Sequence, residues 1–391
     1  MLIKEILDHE AEMIAIRRDF HQHPELGFEE YRTSQRIAEL LTAWGYEVHR
    51  GLGGTGVVGT LKNGSGGKRL GLRADMDALP MQELTDLPWR STVPGKMHAC
   101  GHDGHCAILL AAARYLAEKR PFSGTLHLIF QPSEESVGGA RRMMEDGLFT
   151  LFPCDAIFGL HNMPLLPAGA FVTKSGALMA SSDSMTITLQ GKGGHGSTPE
   201  NCIDPIVAGA AMIMALQTIV SRNVDPQDAA VVTVGSLQSG ATHNIIPDHA
   251  VLKLNMRTFS ETVRQAVKAR IETLVRAQAE SFGVTATLQP DFGYPVTVNH
   301  AAETAFALQV ARDTFGAERV ADPQQVKSVM GSEDFAFMLQ ACPGCYIWLG
   351  TGTGENDYAV HHPLYQFNDA CISTGATYWV RLTEAFLRQS S

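Results

Sequence analysis

The chain has 391 residues, 45% of them hydrophobic and 18% charged, and a net charge of −10 with His neutral. That length exceeds a typical single core and suits two domains. The acidic balance argues against nucleic acid as a partner, because a phosphate backbone calls for a basic surface, and it argues mildly against a membrane.

In chain order, "MLIKEILDHEAEMIAIRRDF" carries apolar residues at helical spacing and no signal-peptide core. No long uncharged run elsewhere is read as a membrane span. "SQRIAELLTAWGY" reads as a helix. "GVVGTLK" and "RLGLRADMDAL" read as strands, and "AILLAAARYLAEKR" as a helix that begins near Cys106. "GTLHLIFQ" and "DAIFGLH" are buried strands on either side of the helix "ARRMMEDGLF". This alternation predicts an α/β fold: a mostly parallel sheet with helices on both faces.

From about 183 to 293 the rhythm changes. "SMTITLQGKG" alternates at period two, with Met185, Ile187 and Leu189 on one face. A helix "DPIVAGAAMIMALQTIVSR" follows, then strands "AAVVTVGSLQSG" and "HAVLKLNMRTF". A long helix with the stripe Val263, Val267, Ile271, Leu274 and Val275 comes next, then the strand "VTATLQPDF". The order β-α-β-β-α-β is ferredoxin-like. Residues 183–293 therefore read as an inserted domain, and 1–182 with 294–391 as the catalytic domain. The last part holds the strand "CYIWLGTG" and a final helix. Seven scattered Cys do not form a disulfide framework, so a reducing cytoplasm is the expected compartment.

In an open α/β sheet, function collects at the carboxyl ends of the strands. Asp75 and Asp77 end one strand, Glu134 and Glu135 leave another, and His161 ends a third. His361 and His362 follow a fourth, while "MHACGHDGH" precedes a helix. Acid, His and Cys groups from five segments thus meet at one rim. Other candidates read as structural. Asp103 is placed to cap the following helix. His98 and His105 read as supporting or packed groups, and Cys106 as buried and inert. His21 and His23 sit at a helix corner, and His127 lies in a core strand. "CPGC" at 342–345 reads as a turn into a strand. One zinc could take Cys100, His102 and an acid. The adjacent Glu134 and Glu135, and more than four ligands in all, favour two metals bridged by an anion.

"RADMDALP", "HACGHDGH", "QPSEE", "GLHNMP", "GKGGHGSTP", "HNIIPD" and "VHHPLYQFND" together resemble the dinuclear-metal amidohydrolases. That family includes hippurate hydrolases, aminoacylase-type N-acyl-amino-acid hydrolases and hormone–amino-acid conjugate hydrolases. The resemblance runs from "FHQHPELGFEE" to the carboxyl terminus. It implies a catalytic domain with a ferredoxin-like insert, and a homodimer or dimer-based homotetramer formed through the insert. It implies two divalent metal ions per subunit on Cys100, His102, Glu135, His161 and His361, with Cys100 bridging. Zinc is expected, and manganese, nickel or cobalt are admitted.

By the same resemblance Glu134 is the general base, and Asp77 orients a ligand. Asp75 stands where another branch places a His ligand, so His102 is expected to supply the imidazole. His195 is the insert's His that reaches an active site, and Asn244 and Arg257 grip the substrate carboxylate. The implied substrate is an N-acyl-L-amino acid. The chemistry agrees with this: Glu134 would move the water's proton, and His195 would stabilise an oxyanion. The rivals are a metallo-dipeptidase or aminopeptidase of the same fold, a hydrolase with Cys100 as nucleophile, and a binding protein with a structural zinc.

Overall fold

The computed structural model describes residues 1–388 except 137, 292, 355 and 356. The chain divides into two compact units. The first comprises Met1–Gly176, Val298–Lys327 and Asp334–Ser391, the second Ala177–Thr297 and Ser328–Glu333.

The principal strands, in chain order, begin with β1 (Glu47–Leu52), β2 (Gly56–Asn63) and β3 (Arg69–Asp75). Then come β4 (Gly124–Gln131), β5 (Ala156–Pro167) and β6 (Phe171–Val172). The second unit supplies β7 (Asp183–Gln190), β8 (Ala230–Ser239), β9 (His249–Thr258) and β10 (Thr285–Asp291). β11 (Gly344–Gly352) returns to the first unit.

The first unit is built on a seven-stranded sheet of order β1-β2-β4-β3-β5-β11-β6. β4, β3, β5 and β11 run parallel, while β2 and β6 run antiparallel to their neighbours. The sheet is mostly parallel, as its sequence rhythm predicts. β3, β4 and β11 are buried almost throughout, which explains their continuous apolar runs. Helices Glu10–Gln22, His102–Lys119 and Ile372–Phe386 pack around it. Leu72, Leu128, Phe158 and Ile347 share one core with Ile108, Leu109 and Trp379 of those helices.

Helix His102–Lys119 starts at His102, four residues before the expected point near Cys106. Gly101 turns the chain into it with φ 90°. The segment read as one helix, "ARRMMEDGLF", is two short ones, broken at Gly147 with φ 93°. β1 and β6 carry no period signal. β1 is largely exposed and β6 spans two residues.

The second unit holds an antiparallel sheet of order β8-β9-β7-β10. Helices Pro205–Thr218 and Glu261–Phe282 complete a ferredoxin-like β-α-β-β-α-β unit. Met185, Ile187 and Leu189 are buried, as their alternation requires. Asp204 caps the first helix through Ile206 N–H, and Ser260 caps the second through Val263 N–H. This unit begins at Ala177 rather than 183 and also takes Ser328–Glu333. The cause is hydrogen bonding. Val329 N–H donates to Leu178 O, Ala180 N–H to Gly331 O, and Ser181 N–H to Thr258 O.

One further expectation changes here. Pro205–Asn223 does reach the length and apolarity of a membrane span. Its Ala208, Met212, Leu216 and Ile219 are buried in the core of the second unit.

Candidate metal centre

The parallel centre of the sheet sets the site. β3 ends at Asp75, with Asp77 two residues on. β4 ends at Gln131, and the turn beyond it holds Glu134 and Glu135. His161 lies on β5, and His361 follows β11. These four strands are neighbours, so the segments leaving them share one edge of the sheet. Cys100 and His102 flank Gly101 at the start of helix His102–Lys119. His361 N–H donates to Ala99 O at 2.8 Å, which ties the last segment to this one. His361 itself holds a left-handed φ of 66°.

Among the described residues five groups of donor atoms form, each with all its atoms within 4.8 Å of one another. Two of them are Cys100, His102 and His161, and Cys100, Glu135 and His361. Cys100 belongs to both. Its Sγ lies 3.3 Å from His161 Nε2. His102, Glu134 and Glu135 form a further group, as do Asp75, His102 and His105.

The donor set fits cations. His361 Nε2 lies 3.0 Å from Glu135 Oε1, yet that oxygen is buried and accepts no hydrogen bond from the described residues. His102 turns Nδ1 toward Asp77 Oδ1 at 3.3 Å and leaves a buried Nε2 with no hydrogen-bond partner among the described residues. His161 Nδ1 donates to Asn162 O at 2.7 Å, so Nε2 keeps its lone pair. Burial, then His105, holds the His161 imidazole well below its usual range, in the neutral form a ligand needs.

Burial and the carboxylates of Glu135, Glu134 and Asp75 push the Cys100 thiol well up. A nucleophilic thiolate needs a lowered pKa, so burial beside three carboxylates disfavours Cys100 as a nucleophile. A bound cation would supply the missing positive charge. Burial opposes the charge on His102, but Asp75 and Asp77 outweigh it and raise the imidazole to about 10.

Behind these groups stands a buried support. Asp75 accepts from Arg73 Nη1 at 2.7 Å and His105 Nδ1 at 2.6 Å, so it is fully engaged. His105 Nε2 lies 2.6 Å from Asn162 Oδ1, and Asn162 Nδ2 donates to Tyr365 Oη. Asp77 accepts Glu134 N–H at 3.0 Å and Glu135 N–H at 2.9 Å. Asp334 N–H reaches Glu134 Oε1 at 3.3 Å, while its carboxylate takes Gln131 and Ala140. Arg73, Asn162, Tyr365 and Asp334 escape a single-sequence reading. Arg73, Asn162 and Tyr365 stand in no ligand-like spacing, whereas Asp334 adjoins Glu333 as Glu135 adjoins Glu134, and both form a donor group with Glu134.

Residues 71–385 match the profile of Peptidase family M20/M25/M40. The chain belongs to this family. It is 45% identical to hippurate hydrolase of Campylobacter jejuni, over 99% of this chain and all of that one. It is 40% identical to N-acetyl-L-cysteine deacetylase of Bacillus subtilis, over 93% of this chain and 85% of that one. Among solved structures it resembles the YXEP protein of Bacillus subtilis, described as a dinuclear metal binding peptidase from the M20 family. The TM-score is 0.83 at 34% identity, covering 98% of this chain and 99% of that one.

In this M20 chain one local expectation needs revision. Asp103 does not cap its helix. It lies one residue inside, and its Oδ2 accepts from His21 Nδ1 at 2.8 Å and Arg17 Nη1 at 3.3 Å. Partners more than 80 residues away outcompeted the local cap. His105 is a supporting group, as expected, and joins Asp75 to Asn162. His21 is buried in a charged cluster with Asp103 and Glu83. The others sit as read. His98 is buried and kept neutral, with burial lowering it to about 4. His23 bonds to Asp19 O, His127 pairs with Thr60, and Cys106 donates to Asp75 O. Cys342 precedes β11 and Cys345 lies within it.

The remaining expected residues lie in the second unit. His195 is exposed on a short strand, opposite Ile245. Gly196 N–H donates to Asn244 O, so His195 and Asn244 stand side by side. Ser197 N–H donates to His195 Nδ1 at 3.1 Å, which leaves Nε2 as the outward nitrogen. Arg257, on β9, is half-buried. Its guanidinium donates to Asn255 Oδ1, Met330 O and Ser332 Oγ.

Proposed function

We propose that the chain hydrolyses the amide bond of N-acyl-L-amino acids, hippurate among them, to a carboxylic acid and a free amino acid. One observation carries this reading: Cys100 is common to two donor groups, and Glu134 stands beside them. Two cations bridged by one anion require such an arrangement. The activities named for the 45% and 40% identical relatives belong to the same reaction class.

Cys100, His102, Glu135, His161 and His361 would hold two divalent ions. Thiolate and imidazole favour zinc, while the carboxylate also admits manganese, cobalt or nickel. When bound, such ions lower the pKa of water and polarise a carbonyl. Glu134 takes the proton of the attacking water and returns it to the leaving amine. Asp77 fixes the backbone of Glu134 and turns His102 so that Nε2 is the free donor. From the second unit we assign His195 to the oxyanion, and Asn244 with Arg257 to the substrate carboxylate. Arg257 is suited to this by a guanidinium plane already held on two sides.

We further propose a homodimer, or a dimer-based tetramer, joined through the second unit. Val207, Met214 and Val220 are exposed there, and β8 is an edge strand. All seven cysteines are free thiols, which suits a reducing cytoplasm.

The test is dialysis against a chelator, then a panel of N-acyl amino acids assayed with zinc, manganese, cobalt or nickel. Hippurate hydrolysis should vanish and return with metal. Activity that survives the chelator but not iodoacetamide would overturn the metal reading in favour of a Cys100 nucleophile. Turnover confined to dipeptides with a free amine would overturn the N-acyl assignment.

A further inference from the structure

The segment "HPELGFEE" takes no part in the chemistry above, yet it ends on a buried carboxylate. Glu30 is fully buried. Its Oε1 accepts the Ser133 N–H at 2.8 Å, and its Oε2 accepts the Thr55 hydroxyl at 2.6 Å. Ser133 immediately precedes Glu134. The next two N–H groups, of Glu134 and Glu135, go to Asp77. Three consecutive backbone donors therefore face two carboxylates.

Two features show that this turn needs an outside restraint. Ser133 holds a left-handed φ of 52°, a conformation that a residue with a Cβ adopts at a cost. The glutamate's own segment also presses against the turn. A Cβ placed on Gly27 would stand 2.5 Å from Ser133 Oγ and 2.6 Å from Ser136 Oγ, so the two segments are in close contact and a larger residue would require those hydroxyls to turn.

We propose that Glu30 is a positioning residue for the reaction. Its carboxylate anchors the Ser133 N–H, and so fixes the direction in which Glu134 presents its own carboxylate to the attacking water. Glu30 acts through the turn alone. The inference rests on Glu134 being the base. Burial pushes the Glu30 carboxyl up to about 7, against the Thr55 hydrogen bond. Near neutral pH an uncharged Gln is therefore a close substitute. Its amide oxygen can accept from Ser133, and its NH2 can donate to the Thr55 oxygen.

The experiment uses the full chain as holoenzyme with hippurate. Glu30→Ala should lower kcat about 10- to 100-fold, the scale expected when a reacting group is displaced by about 1 Å. KM should stay within about twofold and metal content should equal wild type, because neither substrate contacts nor ligands change. Glu30→Gln should recover kcat to within about threefold. Thr55→Val should fall between the two. Wild-type kcat in Glu30→Ala overturns the proposal, as does an equal loss in the Ala and Gln variants. A rise in KM with kcat unchanged overturns it too. If Glu30→Ala fails to fold, wild-type kcat in Thr55→Val overturns it instead. Full activity in Glu134→Gln would remove the base assignment and this inference with it. An inactive Glu134→Gln beside a fully active Glu30→Ala overturns this inference alone.

Discussion

Replacing Asp77 by Asn keeps the outline of the side chain and removes one acceptor. In the native site the two carboxylate oxygens serve Glu134 N–H at 3.0 Å and Glu135 N–H at 2.9 Å, and Oδ1 also faces His102 Nδ1 at 3.3 Å. An amide has one oxygen and one NH2. Whichever way it turns, one of the two backbone N–H groups meets another donor. A buried N–H left without an acceptor costs roughly 1–3 kcal/mol. The surviving bond also loses its charge, which weakens it by about 1 kcal/mol. The sum, about 2–4 kcal/mol, falls on the turn that carries Glu134 and Glu135. If that strain displaces the base, kcat/KM should drop roughly 30- to 1,000-fold at 1.36 kcal/mol per decade. The assay is steady-state hydrolysis of hippurate, with metal content by elemental analysis and Tm on the same preparation. An Asp77→Asn protein with native Tm and kcat/KM within about threefold of wild type would refute the reasoning.

Three further outcomes follow from the same geometry. Glu134→Gln should keep its metals and lose about 10²- to 10⁴-fold in kcat, whereas Cys100→Ala should lose metal, as elemental analysis would reveal; the reverse pattern would exchange their roles. Gly101→Ala should lower both Tm and metal content. Its φ is 90°, and a Cβ there would stand 2.3 Å from Asn162 Oδ1 and 2.5 Å from Tyr365 Oη. Native metal content in that variant would count against the cradle. The third outcome concerns pH. Burial opposes the charge on His21, but Asp103 and Glu83 raise it from 6.5 to about 9. A raised histidine stabilises fully below its unfolded pKa and loses that contribution as pH climbs through the folded one. Tm should therefore decline between about pH 6.5 and 9, and His21→Gln should flatten that slope. An unchanged slope would show that His21 does not carry it.

Much of the site was legible because parallel strands point their carboxyl ends the same way. Asp75, Asp77, Glu134, Glu135 and His161 each follow or end an apolar run, so a pattern of buried strands located them. The ferredoxin-like unit was legible for a similar reason. Met185, Ile187 and Leu189 alternate, and the helix stripe repeats. What stayed hidden acts over long sequence separations. Glu30 meets Ser133 across 103 residues, and Arg73 meets Asp334 across 261. No local period or spacing encodes such a pair. Asp103 was misread because a capping pattern is local while its partners, Arg17 and His21, are not. β1 was missed because most of its side chains face solvent, which erases the apolar signal.

The scattering of the donor residues along the chain also has a consequence in time. A ribosome emits Cys100, His102, Glu135 and His161 first, then the whole body of the second unit, and His361 only near the end. About 260 residues separate Cys100 from His361, which at about 5–20 residues per second is roughly 13 to 50 seconds of synthesis. For about the last 200 residues of that interval, from His161 onward, the nascent chain carries a thiol and two imidazoles without their last companion. Completion of the centre is thus a late event, and it depends on almost every other part of the protein having been made.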